Sequence, residues 1–142
     1  RYFPGCALTA DMITGFPGET EADQAAAVAF LEQVGFAAVH VFPYSRRPGT
    51  KADTMPEQLS HAVKSARGHE AQRVADACKQ RYLVQQVGQT LPVLFETEHD
   101  GSWVGHSDNY CLVRAAGDNL RGLVKNVKIS AVSGQMLVGD LV

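Results

Sequence analysis

The stretch Asp11-Met12-Ile13-Thr14-Gly15-Phe16-Pro17-Gly18-Glu19-Thr20 runs from an apolar segment through a tight Gly/Pro turn straight into a helix start. That order, strand then turn then helix, is the opening half of a βαβ unit. Gly15 and Gly18 let the backbone approach a ligand closely, Pro17 stiffens the turn, and the first helical amides offer donors to anionic or polar atoms. A phosphate loop of the nucleotide-triphosphatase kind is disfavoured, because Glu19 stands where a Lys would have to reach the phosphates. Downstream, Thr20 can cap the helix with Asp23 as reciprocal partner, Val28, Leu31 and Val34 share one face, and Gly35 ends it. Phe36 to Tyr44 is β-branched and aromatic enough for a second strand, parallel to the first. Alternation places His40, Phe42 and Tyr44 on one face of that strand and Val39 and Val41 on the other. His40, set among apolar residues, reads as a hydrogen-bonded core histidine rather than a catalytic one.

The next segment, Pro56 to about Gln86, reads as a long helix opened by Pro and interrupted at Gly68. Leu59, Val63, Ala66, Val74 and Ala77 form its intermittent apolar stripe, and its mixed charges, Lys64, Arg67 and Arg73 among them, read as a solvated face. After Gly88 the texture changes to short β-prone runs: Leu91 to Thr97, Asn109 to Ala115, Leu123 to Val132 and Met136 to Val142. A small antiparallel barrel is the economical fold for them. Parity sends Val93, Phe95, Cys111, Val113, Val127 and Ile129 inward, and Tyr110, Leu112, Arg114, Asn126 and Lys128 outward.

His40-Val41-Phe42-Pro43-Tyr44-Ser45-Arg46-Arg47-Pro48-Gly49-Thr50 is similar to the segment that closes the radical S-adenosylmethionine (SAM) domain of the methylthiotransferases, and the Gly-Phe-Pro-Gly-Glu-Thr run resembles that family's preceding strand-loop-helix. Val87 to Val142 resembles the TRAM domain that follows, a small RNA-binding β-barrel. The resemblance covers nearly the whole chain. It implies α/β followed by all-β: the last βαβ part of a partial radical SAM (β/α) barrel and its closing helix at 1–86, then an antiparallel TRAM barrel at 87–142. The ring-bearing face of the second strand would then line the barrel interior, with Gly15 to Gly18 and Tyr44 to Arg47 at the ligand-facing carboxyl end.

For function, the resemblance implies a tRNA-modifying transferase using SAM and two [4Fe-4S] clusters. It would attach a methylthio group to a modified adenosine beside the anticodon, at nucleotide 37 of tRNA. The wording of the His-Val-Phe-Pro-Tyr-Ser run and of the Arg-Arg-Pro-Gly-Thr turn is most like the MtaB-type branch, whose substrate adenosine carries a threonylcarbamoyl group. The alternatives are the branch acting on isopentenyladenosine in tRNA, the branch acting on a ribosomal protein aspartate, and a module that only binds RNA. Ile13, Gly15, Phe16, Pro17 and Tyr44 are the expected SAM-pocket residues. Arg46, Arg47, Tyr110, Arg114 and Lys128 are the expected RNA-contacting ones, with an anticodon stem-loop rather than DNA as the partner. The cluster-binding cysteine loop of the family has no counterpart in this sequence, so the expectation is a fragment with no catalytic residue or metal ligand of its own, inactive and binding no cluster by itself.

Composition bounds these readings. The 142 residues are 45% hydrophobic with a net charge of −2, enough for a packed core but without the surplus of basic groups typical of nucleic-acid binders. Residues 87 to 142 carry four basic and six acidic side chains, so RNA contact there rests on the resemblance and not on charge. Cys6, Cys78 and Cys111 are too scattered for a disulfide framework or a metal cluster. No apolar run reaches membrane-spanning length, and a cytoplasmic location is the default expectation.

Overall fold

The computed structural model describes residues 5 to 142; Arg1 to Pro4, the start of the expected 1–86 segment, lie outside the described residues. The chain forms two compact units, Leu8–Lys79 and Gln80–Val142, the latter joined by the segment before Leu8. The division falls inside the long helix, a few residues before the expected boundary at 86.

In the first unit β1 (Thr9–Thr14) and β2 (Ala38–Pro43) pair in parallel, from Thr9 opposite Ala38 to Thr14 opposite Pro43, with α1 (Glu21–Val34) as the crossover. The expected βαβ unit is therefore present. The Thr20 hydroxyl accepts from the Asp23 amide at 3.1 Å and the Asp23 carboxylate accepts from the Thr20 amide at 2.9 Å, a complete capping box. Gly35 closes α1 in the left-handed region at φ 69°. Two further helices follow, α2 (Lys51–Thr54), capped by Thr50, and α3 (His61–Gln86). Leu31, Val39, Ala71 and Ala75 form the core, with Met12, Val28, Phe36, Val41 and Val74 packed around them.

Three expectations are corrected here. The long helix starts at His61, not at Pro56, and runs through Gly68 without a break. A Cβ on Gly68 would come within 3.0 Å of the Pro43 ring, so that glycine marks close packing against the strand end and not an interruption. The buried face of α3 is Arg67, Ala71, Ala75 and Cys78, whereas Ala66 and Ala77 are exposed. His40 is also exposed, stacked on Phe42 at 6.4 Å between ring centroids, and is not a core histidine.

The second unit is a closed five-stranded barrel, β3 (Thr90–His99), β4 (Ser102–Ser107), β5 (Leu112–Ala116), β6 (Val124–Ser133) and β7 (Met136–Leu141), in the order β3-β4-β5-β7-β6. Closure leaves no free edge. Its pairings are antiparallel except β5 with β7, so the sheet is mixed and not wholly antiparallel. The inward residues expected from parity are buried, with Val93, Phe95, Val113 and Val127 at 0% exposure, and Leu137 of β7 joins them. β4 joins the barrel as a strand that the sequence reading left unassigned between Thr97 and Asn109.

The last turns of α3 belong to this barrel unit. Asn109 donates through Nδ2 to the Tyr82 hydroxyl and to Gln86 Oε1, both at 3.1 Å, and Tyr82 donates to the Gly5 carbonyl at 3.2 Å. Burial pushes the Tyr82 phenol above its ordinary range, partly opposed by the Asn109 hydrogen bond.

Candidate functional site: a strand-end loop and a barrel groove

The candidate pocket of the first unit is built on the carboxyl end of β1. Ile13 stands opposite Phe42, and Asp11 opposite His40, on the sheet face turned away from the α1–α3 core. Ile13 is 55% and Phe42 53% exposed. Parallel strands are ordinarily covered on both faces, and here the Ile13–Phe42 end of the face is open and apolar. Phe16 continues this shelf, its ring edge-on to Tyr44 at 5.2 Å, while Tyr44 fixes its own strand end by donating its amide to the Thr14 carbonyl at 2.8 Å. The Tyr44 hydroxyl is buried and has no hydrogen-bond partner among the described residues.

Gly15 and Pro17 are buried, unlike Ile13 and Phe16. Gly15 has φ 70°, and a Cβ there would run into Lys64 of α3, 3.1 Å from its Cα. Gly15 thus permits a close approach to the α3 backbone. The Lys64 ammonium in turn lies 5.4 Å from the Tyr44 ring centroid, within cation–π range. Ile13 and Phe16 are exposed with Tyr44 packed against Phe16, while Gly15 and Pro17 are buried in the turn.

Beneath that loop lies an ion-pair network that the sequence reading missed. Arg67, buried on α3, donates to Glu19 Oε2 at 2.6 Å, to the Glu19 carbonyl at 2.9 Å and to Glu21 Oε1 at 2.7 Å. Glu19 Oε2 also accepts from the Gly15 amide at 2.7 Å. A single carboxylate therefore joins the turn at its start to the helix below it. The hydrogen bond to Glu21, then that to Glu19, raises the Arg67 guanidinium further above its ordinary range against the opposing effect of burial, so it stays charged. The expected solvated role for Arg67 is wrong, because its charge is consumed by these carboxylates.

Arg46 bonds Asp53 through Nε to Oδ1 at 2.8 Å and through a terminal nitrogen to the carbonyl at 2.7 Å. It braces α2, with its outer surface still exposed, and Arg47 beside it is exposed. On the barrel, Tyr110, Arg114 and Lys128 are all exposed, as parity requires. Arg114 stands between Val104 and Val138, while Lys128 stands between Thr90 and Asp140 and gives its ammonium to the Gly88 carbonyl at 2.6 Å. Of the three, Tyr110 lines a pocket, an open groove of about 480 Å³ shared with Pro92, Leu94, Glu96, His106 and Val124. Among the described residues no group of three or more His, Cys, Asp or Glu is gathered to hold a metal ion, and no helix is long and apolar enough to cross a membrane.

No protein-family model matches the chain. It is 37% identical over 135 residues to the threonylcarbamoyladenosine tRNA methylthiotransferase MtaB of Bacillus subtilis, covering 91% of this chain and 30% of that protein. It is 36% identical over 141 residues to the tRNA-2-methylthio-N(6)-dimethylallyladenosine synthase of Campylobacter jejuni, covering 98% and 33%. Against the synthase of the same name from Maricaulis maris the identity is 39% over 141 residues, covering 97% and 31%. The chain spans about a third of the length of these curated relatives. Along nearly its whole length, then, the chain is similar to tRNA methylthiotransferases at 36–39% identity, matching a C-terminal region of a radical SAM methylthiotransferase.

Proposed function

We propose that this chain is part of an enzyme that methylthiolates threonylcarbamoyl-modified adenosine beside the anticodon of tRNA. The observation that carries the proposal is the open apolar face of β1 and β2, lying at the carboxyl end of a βαβ unit in a chain homologous to tRNA methylthiotransferases. In a (β/α) barrel that face would turn inward. Ile13 and Phe16 fit the flat apolar face of an adenine, and Tyr44 backs the Phe16 ring edge-on at 5.2 Å. When bound, SAM together with iron–sulfur clusters would supply the power to open an unactivated C–H bond. The residues of this chain have a different task. Ile13 and Phe16 exclude water from the adenine side, Tyr44 limits the pocket, and the Glu19–Arg67 pair holds the Gly15–Gly18 turn in place.

The barrel is read as the TRAM domain, placing tRNA for the reaction. Identities to the three tRNA-modifying relatives overlap at 36–39%, so the preference for a threonylcarbamoyl substrate rests on the His40-Val41-Phe42-Pro43-Tyr44-Ser45 run and the Arg46-Arg47-Pro48-Gly49-Thr50 turn. The enzyme carrying this segment should be assayed, anaerobically and with its clusters reconstituted, on anticodon stem-loops bearing either modification. Methylthiolation of the threonylcarbamoyl substrate alone is expected. Reaction of the isopentenyl substrate alone would assign it to the other branch, and reaction of neither would reject the proposal. Ile13→Asp should abolish SAM binding while leaving the fold intact, since Ile13 packs into no core.

A further inference from the structure

The outer face of the barrel carries a groove whose construction differs from the rest of its surface. β3 and β4 lose register between Phe95 and Thr97, and Glu96 is the extra residue of that bulge. Gly105 makes the bulge possible, because a Cβ there would stand 2.7 Å from the Phe95 Cα. Bulges re-aim a side chain out of the regular ladder. Here the bulge sends Glu96 to the groove, where its Oε2 meets His106 Nδ1 at 2.6 Å.

Tyr110 lines the same groove, 86% exposed and in the left-handed region at φ 60°. That conformation is unfavourable for a non-glycine residue, and so large an exposed ring gains no packing from it. The turn that imposes it is firmly held. The Tyr110 amide donates to the Ser107 carbonyl at 3.0 Å, the Cys111 amide donates to the Ser107 hydroxyl at 3.1 Å, and Asn109 is anchored to Tyr82 and Gln86. Pro92, Leu94 and Val124 floor the space between.

The charge of the lining selects the occupant. Glu96 and Asp108 are the acidic members, and no Lys or Arg lines the groove, so a phosphate chain is disfavoured there. An apolar floor, an exposed ring and a carboxylate with accepting lone pairs together suit a flat heterocycle with adjacent N–H donors. Among RNA bases guanine alone offers an N1–H and an exocyclic amine side by side. We propose that this groove takes a single unpaired guanine, stacked on Tyr110 and read by Glu96, with the phosphate chain kept outside. The proposal rests on the reading of the barrel as an RNA-contacting domain and adds to it which chemistry is read and by which residues.

The test is fluorescence-anisotropy titration of the full 142-residue chain with labelled uridine hexamers carrying one central G, A, C or U, alongside an anticodon stem-loop. The G hexamer should bind tightest. Tyr110→Gly should weaken it about 5- to 100-fold without lowering the melting temperature, since glycine relieves the left-handed strain. Glu96→Gln should bring G and A to within about twofold of one another. If the stem-loop binds but neither variant changes affinity or base preference, the groove is not the reader while the RNA-contact reading stands. If the parent chain binds neither hexamer nor stem-loop, both are overturned.

Discussion

Replacing Arg67 tests how the Gly15–Gly18 turn is held. The Arg67 side chain is 7% exposed and its partner Glu19 is 13% exposed, whereas Glu21 is 88% exposed. The exposed pair with Glu21 contributes about 0–1 kcal/mol. The buried pair behaves differently, because Arg67→Met leaves the Glu19 carboxylate out of water with the Gly15 amide as its remaining close donor. Breaking such a pair costs about 3–5 kcal/mol, a large share of a typical stability of about 5–15 kcal/mol. Removing both charges, as Glu19→Gln with Arg67→Met, should cost less than Arg67→Met alone. Arg67→Lys, which keeps the charge but loses the fork, should fall between parent and Met variant. Urea titrations followed by circular dichroism give the stabilities of the parent, of Arg67→Met, Glu19→Gln and Arg67→Lys, and of the double variant. A cost under about 1 kcal/mol for Arg67→Met, or a double variant as unstable as the sum of the singles, would refute the assignment of Arg67 as the support of this turn.

Other perturbations follow from the same contacts. Gly15→Val should lower the melting temperature strongly, since the side chain meets the Lys64 backbone at a positive φ; an unchanged melt would show that α3 does not press on this turn. Thr20→Ala should cost about 1 kcal/mol through the lost cap. The Thr20 hydroxyl, then its amide, also hold the Asp23 carboxyl below its ordinary value of 3.8, so that contribution is present above pH about 4 and fades as pH falls through the lowered value; an acid titration of parent against variant checks it. Tyr82 has the opposite sign. Its raised phenol keeps its proton in the folded barrel after the unfolded chain has lost it near pH 10, so stability is full below about pH 10 and declines above it. Tyr82→Phe should flatten that alkaline decline in urea midpoints.

The parts legible in the sequence were those set by short-range rules. The Thr20/Asp23 capping box and the Gly35 stop follow from residues within a few positions of one another, and the strand-helix-strand order with short loops implied the parallel pairing of β1 and β2. The barrel interior was legible because a closed sheet keeps strict period-two alternation through Val93–Phe95 and Val127–Ile129. Long-range pairings were not. Arg67 finds Glu19 across 48 residues, and a lone Arg among mixed helical charges carries no mark of that partner. β4 was hidden by Gly105 and His106, which break the apolar alternation, and α2 is a single turn of four residues. Glu96 owes its place to a bulge, which appears only when two strands are paired. Gly15 was read correctly as a site of close approach, but which body approaches depends on where α3 docks.

The central claim, that this segment belongs to an enzyme modifying threonylcarbamoyladenosine in tRNA, is tested most directly in cells. Bulk tRNA should be digested and its nucleosides resolved by mass spectrometry, with the gene encoding this chain present, deleted and restored. The account predicts that the methylthio form of threonylcarbamoyladenosine disappears on deletion and returns on restoration, while methylthio-isopentenyladenosine is unchanged. Persistence of the first nucleoside in the deletion strain, with no other enzyme of its kind encoded, would contradict it.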